Sequence, residues 1–398
     1  MLGRLVDSSY PDEVRRHITL MTVARVWANA CYRFAPPFLA VIARDLDVSL
    51  DEAGLALAVS EVAGLLSPLM GRVVDRLPRR VATGGGLAGV GVGAGLAAAS
   101  QGLWIFAIAL VVLNQSKIVF DLGLASWVAD HVPYAKRGRI VGLTETSWAL
   151  GLLIGVSALG VVTALSSWRF GFVGGAIAVA AMGAAVALHL PADRAAAHHA
   201  PATRPPKVPL DWSVAWRPVL GAFVLMASSQ CLFVTFGTWL KDEFGLGAAA
   251  LSAVTFTLGG VELVASITAA RRSDALGKEA SAALGAAVMI PAMLLLALWH
   301  EQLAVGIVLL AITLLGFEFA IVSALPIGTH LIPHAPARGL GIMLAASTVG
   351  RAGTSVAATR LYTAHGVAGP MLLGVALAAA AALVFSGRGL RGGVAARV

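Results

Sequence analysis

The sequence predicts an all-α polytopic membrane protein with twelve transmembrane helices in two six-helix, pseudo-symmetric halves. Three observations carry that prediction. The 398-residue chain has a mean hydropathy of +0.83 and only 13% charged residues, against roughly 25% in a soluble protein. Apolar runs of about 20 residues, each long enough to cross the ~30 Å hydrocarbon core of a bilayer, recur from end to end. The loops after the second and fourth runs also return, in weaker form, after the eighth and tenth. A strand-built barrel would alternate polar and apolar residues, whereas these runs are continuous.

The runs place spans at 19–43, 52–71, 81–100, 104–131, 140–165, 169–190, 215–240, 248–269, 281–299, 303–331, 339–362 and 367–386. Asp7, Asp12, Glu13, Arg15 and Arg16 precede the first span with no short apolar region ending in a cleavage site. That stretch does not read as a signal peptide, and the first span is expected to stay in the mature protein. Cys31 and Cys231 both fall inside spans, so no disulfide framework is implied. Lys and Arg placement sets the orientation. With both termini cytoplasmic, the cytoplasmic segments hold 21 of the 29 basic residues, and the outside segments only Arg44, Arg169, Lys241 and Arg360. The chain is therefore expected to be multi-pass in the cell inner (plasma) membrane. The pI of about 10.1 then reflects basic loops facing an anionic lipid surface, with no nucleic acid involved.

A polar, Pro- and Ala-rich stretch, PADRAAAHHAPATRPPKVPLD, interrupts the pattern after six spans and suits a cytoplasmic linker. It divides the chain into an N-terminal half at 1–191, a linker at 192–213 and a C-terminal half at 214–398. The His198–His199 pair in the linker has no further ligands at suitable spacing, and neither metal nor cofactor is expected. The halves repeat. GRVVDRLPRR follows span 2 and ARRSDALGKE follows span 8, with Asp274 matching Asp75 at an offset of 199. VPYAKRGR follows span 4 and IPHAPARG follows span 10, with Arg338–Gly339 matching Arg137–Gly138 at an offset of 201. A six-span unit duplicated around a linker is the parallel-repeat arrangement of a secondary transporter.

GRVVDRLPRR resembles the loop 2–3 signature of the major facilitator superfamily: Gly, Asp four residues on, a basic residue, then paired basic residues. SSWRFGF at the start of span 6 is similar to the Trp-Arg-x-x-Phe often found there. With the span count, the linker and the second loop copy, the resemblance covers the whole chain. It implies a loop that latches the two halves in one conformational state. Gly71 would allow close helix packing, and Asp75 would face the N-terminus of span 11, with its free N–H groups and partial positive charge. Arg76 would pair with Asp130 at the end of span 4, beside Arg79 and Arg80. Pro78 stands where the family has a second glycine, so the turn differs. The alternative is a plain positive-inside anchor loop.

Buried charge is the most informative feature. Spans 3, 6, 9 and 12 carry none in their interiors, whereas spans 1, 4 and 10 carry Arg25 and Arg33, Lys117 and Asp121, and Glu318. Glu61, Glu145, Glu262 and Arg351 lie in spans 2, 5, 8 and 11. Charge at mid-membrane costs about 2.5–3.5 kcal/mol per residue even on the insertion scale, so these groups must face protein or water. The pattern matches the family layout, in which helices 1, 4, 7 and 10 line a central cavity. At 1.5 Å per residue, Lys117 lies ~20 Å into span 4 and Glu318 ~22 Å into span 10. They are expected at matching places, facing each other across the cavity. Pro36–Pro37, just after Arg33, should bend span 1 and free backbone carbonyls.

Lys117 and Asp121 neutralise each other one turn apart. That pair either opens to a solute or proton, or stays closed and only orients its helix. The substrate-binding set expected is Asn29, Tyr32, Arg33, Asn114, Lys117, Gln230 and Glu318, the uncharged members alternatively being interhelical bonds. Asp121, Glu318 and Glu145 are the proton-coupling candidates, with Glu145 alternatively capping a neighbour. Glu61 and Glu262 are expected to tie to Arg351 or Arg25.

GGGLAG at 84–89 matches G-x-G-x-x-G, yet it opens an apolar span with no strand before it, so close helix packing explains it better. No nucleotide loop, zinc helix or nucleophile elbow is present, so an enzyme is not expected. The function expected is secondary active transport of a small organic solute, anionic or zwitterionic, by proton-coupled alternating access. Its partners are the solute, protons and membrane lipids, and the chain acts as a monomer. The alternatives are a multidrug/proton antiporter, although span 5 lacks the Gly-Pro pair of that group, and a transport-dead membrane sensor.

Overall fold

The computed structural model describes residues 3, 6–191, 210–246 and 248–387. Most of the expected linker, including His198–His199, lies outside the described residues. Among the described residues there is no strand, and twelve helices follow one another in the order of the twelve spans. They are α1 (Asp12–Asp45), α2 (Leu50–Val62, Ala63–Leu66 and Ser67–Val74), α3 (Arg79–Ala99), α4 (Leu103–His131), α5 (Arg137–Leu150, Gly151–Val156 and Ser157–Leu165) and α6 (Trp168–His189). The second set is α7 (Trp212–Phe233 and Phe236–Phe244), α8 (Ala248–Leu276), α9 (Lys278–Trp299), α10 (Leu303–Gly328), α11 (Pro336–His365) and α12 (Ala368–Ser386). The ends of the bundle that carry the 2–3, 4–5, 8–9 and 10–11 loops are called the basic face below.

Ten of the helices are long and apolar enough to cross a membrane; α1 and α11 fall short. The reason is visible in their residues. Arg25 and Arg33 interrupt α1 and Arg351 interrupts α11, and all three turn to a central cavity rather than to the outside. The outer surface is correspondingly greasy: Trp104 is 81%, Leu165 84% and Leu188 78% exposed. Bare side chains of that size suit lipid, not water.

Three helices depart from regular geometry, each for a local cause. In α2, Pro68 offers no N–H to the Gly64 carbonyl, which instead accepts the Ser67 hydroxyl, and the helix tightens to a 3-10 turn there. In α5, residues Gly151–Val156 form a π segment where α1 presses close. In α7, the helix breaks at Val234–Thr235. The bend expected at Pro36–Pro37 does not break α1, which runs unbroken from Asp12 to Asp45. On the face opposite the basic one, the Trp168–Arg169 dipeptide ties three helices. Trp168 Nε1 donates to Asp45 at 3.0 Å and Arg169 pairs with it at 2.9 Å, while Arg169 also caps the end of α3 through the Ala98 carbonyl at 3.1 Å.

The apolar core of the first half centres on Phe34, Phe106, Trp127 and Phe172, and that of the second on Trp239, Met289, Leu310 and Met371. Close packing of α3 on α4 relies on Gly86, where an added Cβ would sit 2.6 Å from the Phe120 amide nitrogen. At Gly84, one turn face away, an added Cβ meets nothing within 4 Å. Gly86→Ala is therefore expected to destabilise by about 1–3 kcal/mol through overpacking, and Gly84→Ala to be neutral or stabilising. Thermal unfolding of the two variants in detergent checks this; equal melting temperatures would contradict it.

Candidate functional site

Between the two halves lies a cavity of about 430 Å³, within the size range of small-molecule sites. Its wall holds Tyr32, Arg33, Asn114, Lys117, Gln230 and Glu318 of the expected binding set. Asn29 is the exception. It is fully buried, donates to Ser147 Oγ at 3.3 Å and packs where an added Cβ on Gly151 would come within 2.7 Å of it, so it braces α1 against α5 and does not reach the cavity. Its position one turn from Arg33 gave no sign of which face it takes.

The charges form three groups. In the first, Arg25 reaches Asp121 at 2.9 Å and Glu145 at 2.7 Å, while Lys117 reaches the other Asp121 oxygen at 2.6 Å. Two cations thus balance two anions across α1, α4 and α5, and the expected Lys117–Asp121 pair is half of a larger network. In the second, Arg33 donates to the Trp148 carbonyl at 3.0 Å and lies 3.5 Å from Glu262 of α8. The expected tie of Glu262 to Arg351 or Arg25 is replaced by this link between the halves, because α5 packs directly on α8 and its Trp148 carbonyl holds the Arg33 side chain of α1 beside that contact. In the third, Glu318 accepts from Ser266 Oγ at 3.2 Å and has no cation within 4.0 Å among the described residues. Glu61 and Arg351 also line the cavity, without a counter-ion.

Sequence reasoning missed Trp148. Its ring underlies the Arg33 guanidinium at 4.6 Å and the Lys117 ammonium at 5.0 Å, and Tyr32 lies 5.3 Å from the same ammonium. Cations over aromatic faces gain about 0.5–2 kcal/mol. The signal was present in Glu145 and Trp148, three apart and so on one helix face. Asn114 donates to the Ser60 carbonyl and Gln230 to Ser355 Oγ at 2.9 Å, so each also ties two helices.

At the basic face two matching carboxylate–amide contacts join the halves. Asp75 accepts from the Ala337 and Arg338 amides at 3.0 and 2.9 Å, at the start of α11. Asp274 accepts from the Gly138 and Arg139 amides at 2.9 and 2.8 Å, at the start of α5. Donors and acceptors are both related by an offset of 199, so the loops after α4 and α10 match at that spacing and not at 201. Packing likewise sets Phe120 against Gly86 as it sets Ala320 against Gly285, an offset of 200 for α4 and α10. Glu318 thus corresponds to Ile118, one residue from the expected match with Lys117.

Burial pushes the Asp75 carboxyl above its ordinary value, and the two amides pull it back. An added Cβ on Gly71 would lie 2.6 Å from the Ala337 carbonyl, which is why glycine stands there. Arg79, not Arg76, pairs with Asp130, at 2.7 Å. The α3–α4 packing places the first residue of α3 beside the end of α4, whereas Arg76 is exposed in the turn and Arg80 is half-buried. Pro78 takes φ −53° where its counterpart Gly277 takes +88°, so the two turns follow different paths to matching carboxylate–amide contacts.

The profile described as Major Facilitator Superfamily matches residues 21–355. The chain belongs to that superfamily. Ten of its helices are long and apolar enough to cross a membrane, and the curated relatives it matches are named as transporters. Among curated relatives, the "Uncharacterized MFS-type transporter YwfA" of Bacillus subtilis (strain 168) is 28% identical over 31% of this chain and 31% of its own. The "Putative uncharacterized transporter YgaY" of Escherichia coli (strain K12) is 28% identical over 46% of each. The matches thus span less than half of these relatives. Similar solved superfamily structures include the human organic anion transporter MFSD10 (TM-score 0.77, 17% identity, 94% of this chain and 100% of that one). The proton:xylose symporter XylE also matches (TM-score 0.74, 13% identity, 94% and 95%), as does FucP in its outward conformation (TM-score 0.71, 14% identity, 92% and 97%). At these identities the likeness is one of fold.

Two outcomes are expected from this superfamily member's geometry. Arg25→Ala leaves Glu145 without a counter-ion while Asp121 keeps Lys117, and should destabilise by about 3–5 kcal/mol, whereas Lys117→Ala leaves both carboxylates on Arg25 and should cost clearly less; thermal unfolding ranks them. Asp75→Ala and Asp274→Ala each remove about 1–2 kcal/mol of capping. Either should raise maleimide labelling of Ser273→Cys, buried under the closed basic face, about 5–30-fold. Unchanged labelling in both would contradict the latch.

Proposed function

We propose that this chain carries a small organic solute with a negative charge, anionic or zwitterionic, across the inner membrane by alternating access coupled to protons. The observation that carries the reading is Arg351. Its guanidinium lines the cavity, its Nε is buried without a hydrogen-bond partner, and no carboxylate lies within 4.0 Å of it among the described residues. A desolvated, unpaired guanidinium fits a carboxylate in bidentate fashion. Tyr32 and Trp148 offer flat surfaces for an organic body.

Glu318 is the proton-coupling group in this reading. It is 5% exposed, on the cavity wall, and held only by Ser266. Taking up a proton there breaks no ion pair, whereas protonating Asp121 or Glu145 would disturb the Arg25 network. With both termini cytoplasmic, the closed basic face makes the conformation outward-facing. The bundle works as a monomer surrounded by lipid. A second reading, export of lipophilic cations, draws on Glu61, a carboxyl that is exposed to the cavity and has no counter-ion.

The test is uptake into proteoliposomes under an imposed pH gradient, after a thermal-shift screen of organic anions, amino acids, sugars and lipophilic cations. Stabilisation by anions or zwitterions, and loss of gradient-driven accumulation in Glu318→Gln beyond any loss of equal-pH exchange, is the expected result. Stabilisation by lipophilic cations that needs Asp121 but not Lys117 would overturn the reading in favour of multidrug efflux.

A further inference from the structure

Nine charged side chains line the cavity. Six are engaged with opposite charges, and Glu318 accepts a hydrogen bond from Ser266. Glu61 on α2 and Arg351 on α11 have neither kind of partner among the described residues. They are one acid and one base, each presented to the same space by a different half.

Their relation follows from how α2 and α11 run together. The two helices pack along Ser67–Val74 and barely touch along Leu50–Val62. From the basic face inward, Gly71 abuts Ala337, and an added Cβ on Gly341 would lie 2.5 Å from the Ser67 carbonyl. Next, an added Cβ on Gly64 would lie 3.3 Å from Thr348 Oγ1. The helices are antiparallel, so one further turn on each brings up Glu61 and Arg351. They are the next rung of that ladder. The rung is open: no nitrogen–oxygen approach within 4.0 Å joins them. Tyr32 of α1 lines the same cavity as both. Gln230 donates to Ser355, one turn beyond Arg351, and its carbonyl oxygen is not buried, which leaves an acceptor beside the gap.

We infer that the gap between Glu61 and Arg351 is a subsite for a zwitterionic small molecule, its cationic group on Glu61 and its carboxylate on Arg351. The inference rests on the carrier reading above and narrows it from any anion to a zwitterion. A simple anion would satisfy Arg351 but leave Glu61 facing it with like charge. A simple cation would do the reverse. Only a molecule with both charges completes the rung, and in doing so it links α2 to α11 and one half to the other. Charge-assisted hydrogen bonds at both ends fix its orientation.

The experiment uses the full chain in detergent. Proteinogenic amino acids and glycine betaine are compared, by thermal shift and calorimetry, with carboxylates lacking the amine (propionate, 3-phenylpropionate) and amines lacking the carboxylate (ethylamine, phenethylamine). At least one zwitterion is expected to bind about tenfold or more tightly than both of its singly charged counterparts. Glu61→Gln and Arg351→Gln should each lose that advantage, and the exchanged pair Glu61→Arg with Arg351→Glu should recover it. If either single variant fails to fold, the comparison on the unaltered chain decides alone. Carboxylates binding as well as zwitterions, with Glu61→Gln without effect, would overturn the inference and leave the anion carrier standing. Binding of neither zwitterions nor anions would overturn both, as would amine binding that depends on Glu61 and ignores Arg351.

Discussion

The constraint on which this structure turns is the neutralisation of charge inside an apolar bundle, and Arg25 is where it is met. One guanidinium holds Asp121 of α4 and Glu145 of α5 while also donating to the Thr144 carbonyl at 3.2 Å. Lys117 then balances the second carboxylate. Neither carboxylate would be tolerable at this depth without a cation, since a lone buried charge costs several kcal/mol after relaxation. The network therefore fixes the rotation of three helices at once. The same rotation sets Lys117 over Trp148 and sends Arg33 across to Glu262.

The second organising element is the pair of latches. A carboxylate at a helix N-terminus meets free amides and a favourable dipole, worth about 0.3–1 kcal/mol for the dipole alone. Placing one such contact on each half, related by the repeat, shuts the basic face symmetrically with modest energy. The surrounding glycines allow the backbones to meet without adding side-chain interlock.

Hydropathy made the twelve helices legible, because the cost of exposing polar backbone to lipid leaves little freedom. Buried charges at mid-span likewise announced a cavity, and Tyr32, Arg33, Asn114, Lys117, Gln230 and Glu318 all line it. What the sequence withheld was pairing. Arg33 and Glu262 lie 229 residues apart, and only the packing of α5 on α8 brings them together. The family resemblance put Arg76 on Asp130, and the pairing with Arg79 instead rests on where α3 begins. Asn29 differs from Arg33 by one turn, yet the pressure of Gly151 on α1 turns it into the packed interface. The π segment that follows Trp148 has no composition signal apart from its glycines.

The latches and the open rung lie along one helix pair, and that links them mechanically. Asp75 and Gly71 sit at one end of the α2–α11 contact, with Glu61 and Arg351 just past its other end. On the alternating-access reading proposed above, helices rocking about the Gly64–Thr348 contact would trade one set of approaches for the other, separation at Ala337 bringing Glu61 and Arg351 nearer. In an aqueous cavity the bare pair gains little from meeting, since two hydrated ions recover only the modest energy of an exposed salt bridge. A molecule that supplies the missing charges at both ends excludes that water and raises the gain, so the rocking is favoured when the rung is filled. A weak latch at one end and an incomplete rung at the other are then two sides of one requirement: neither state may be stable enough to stop the exchange between them.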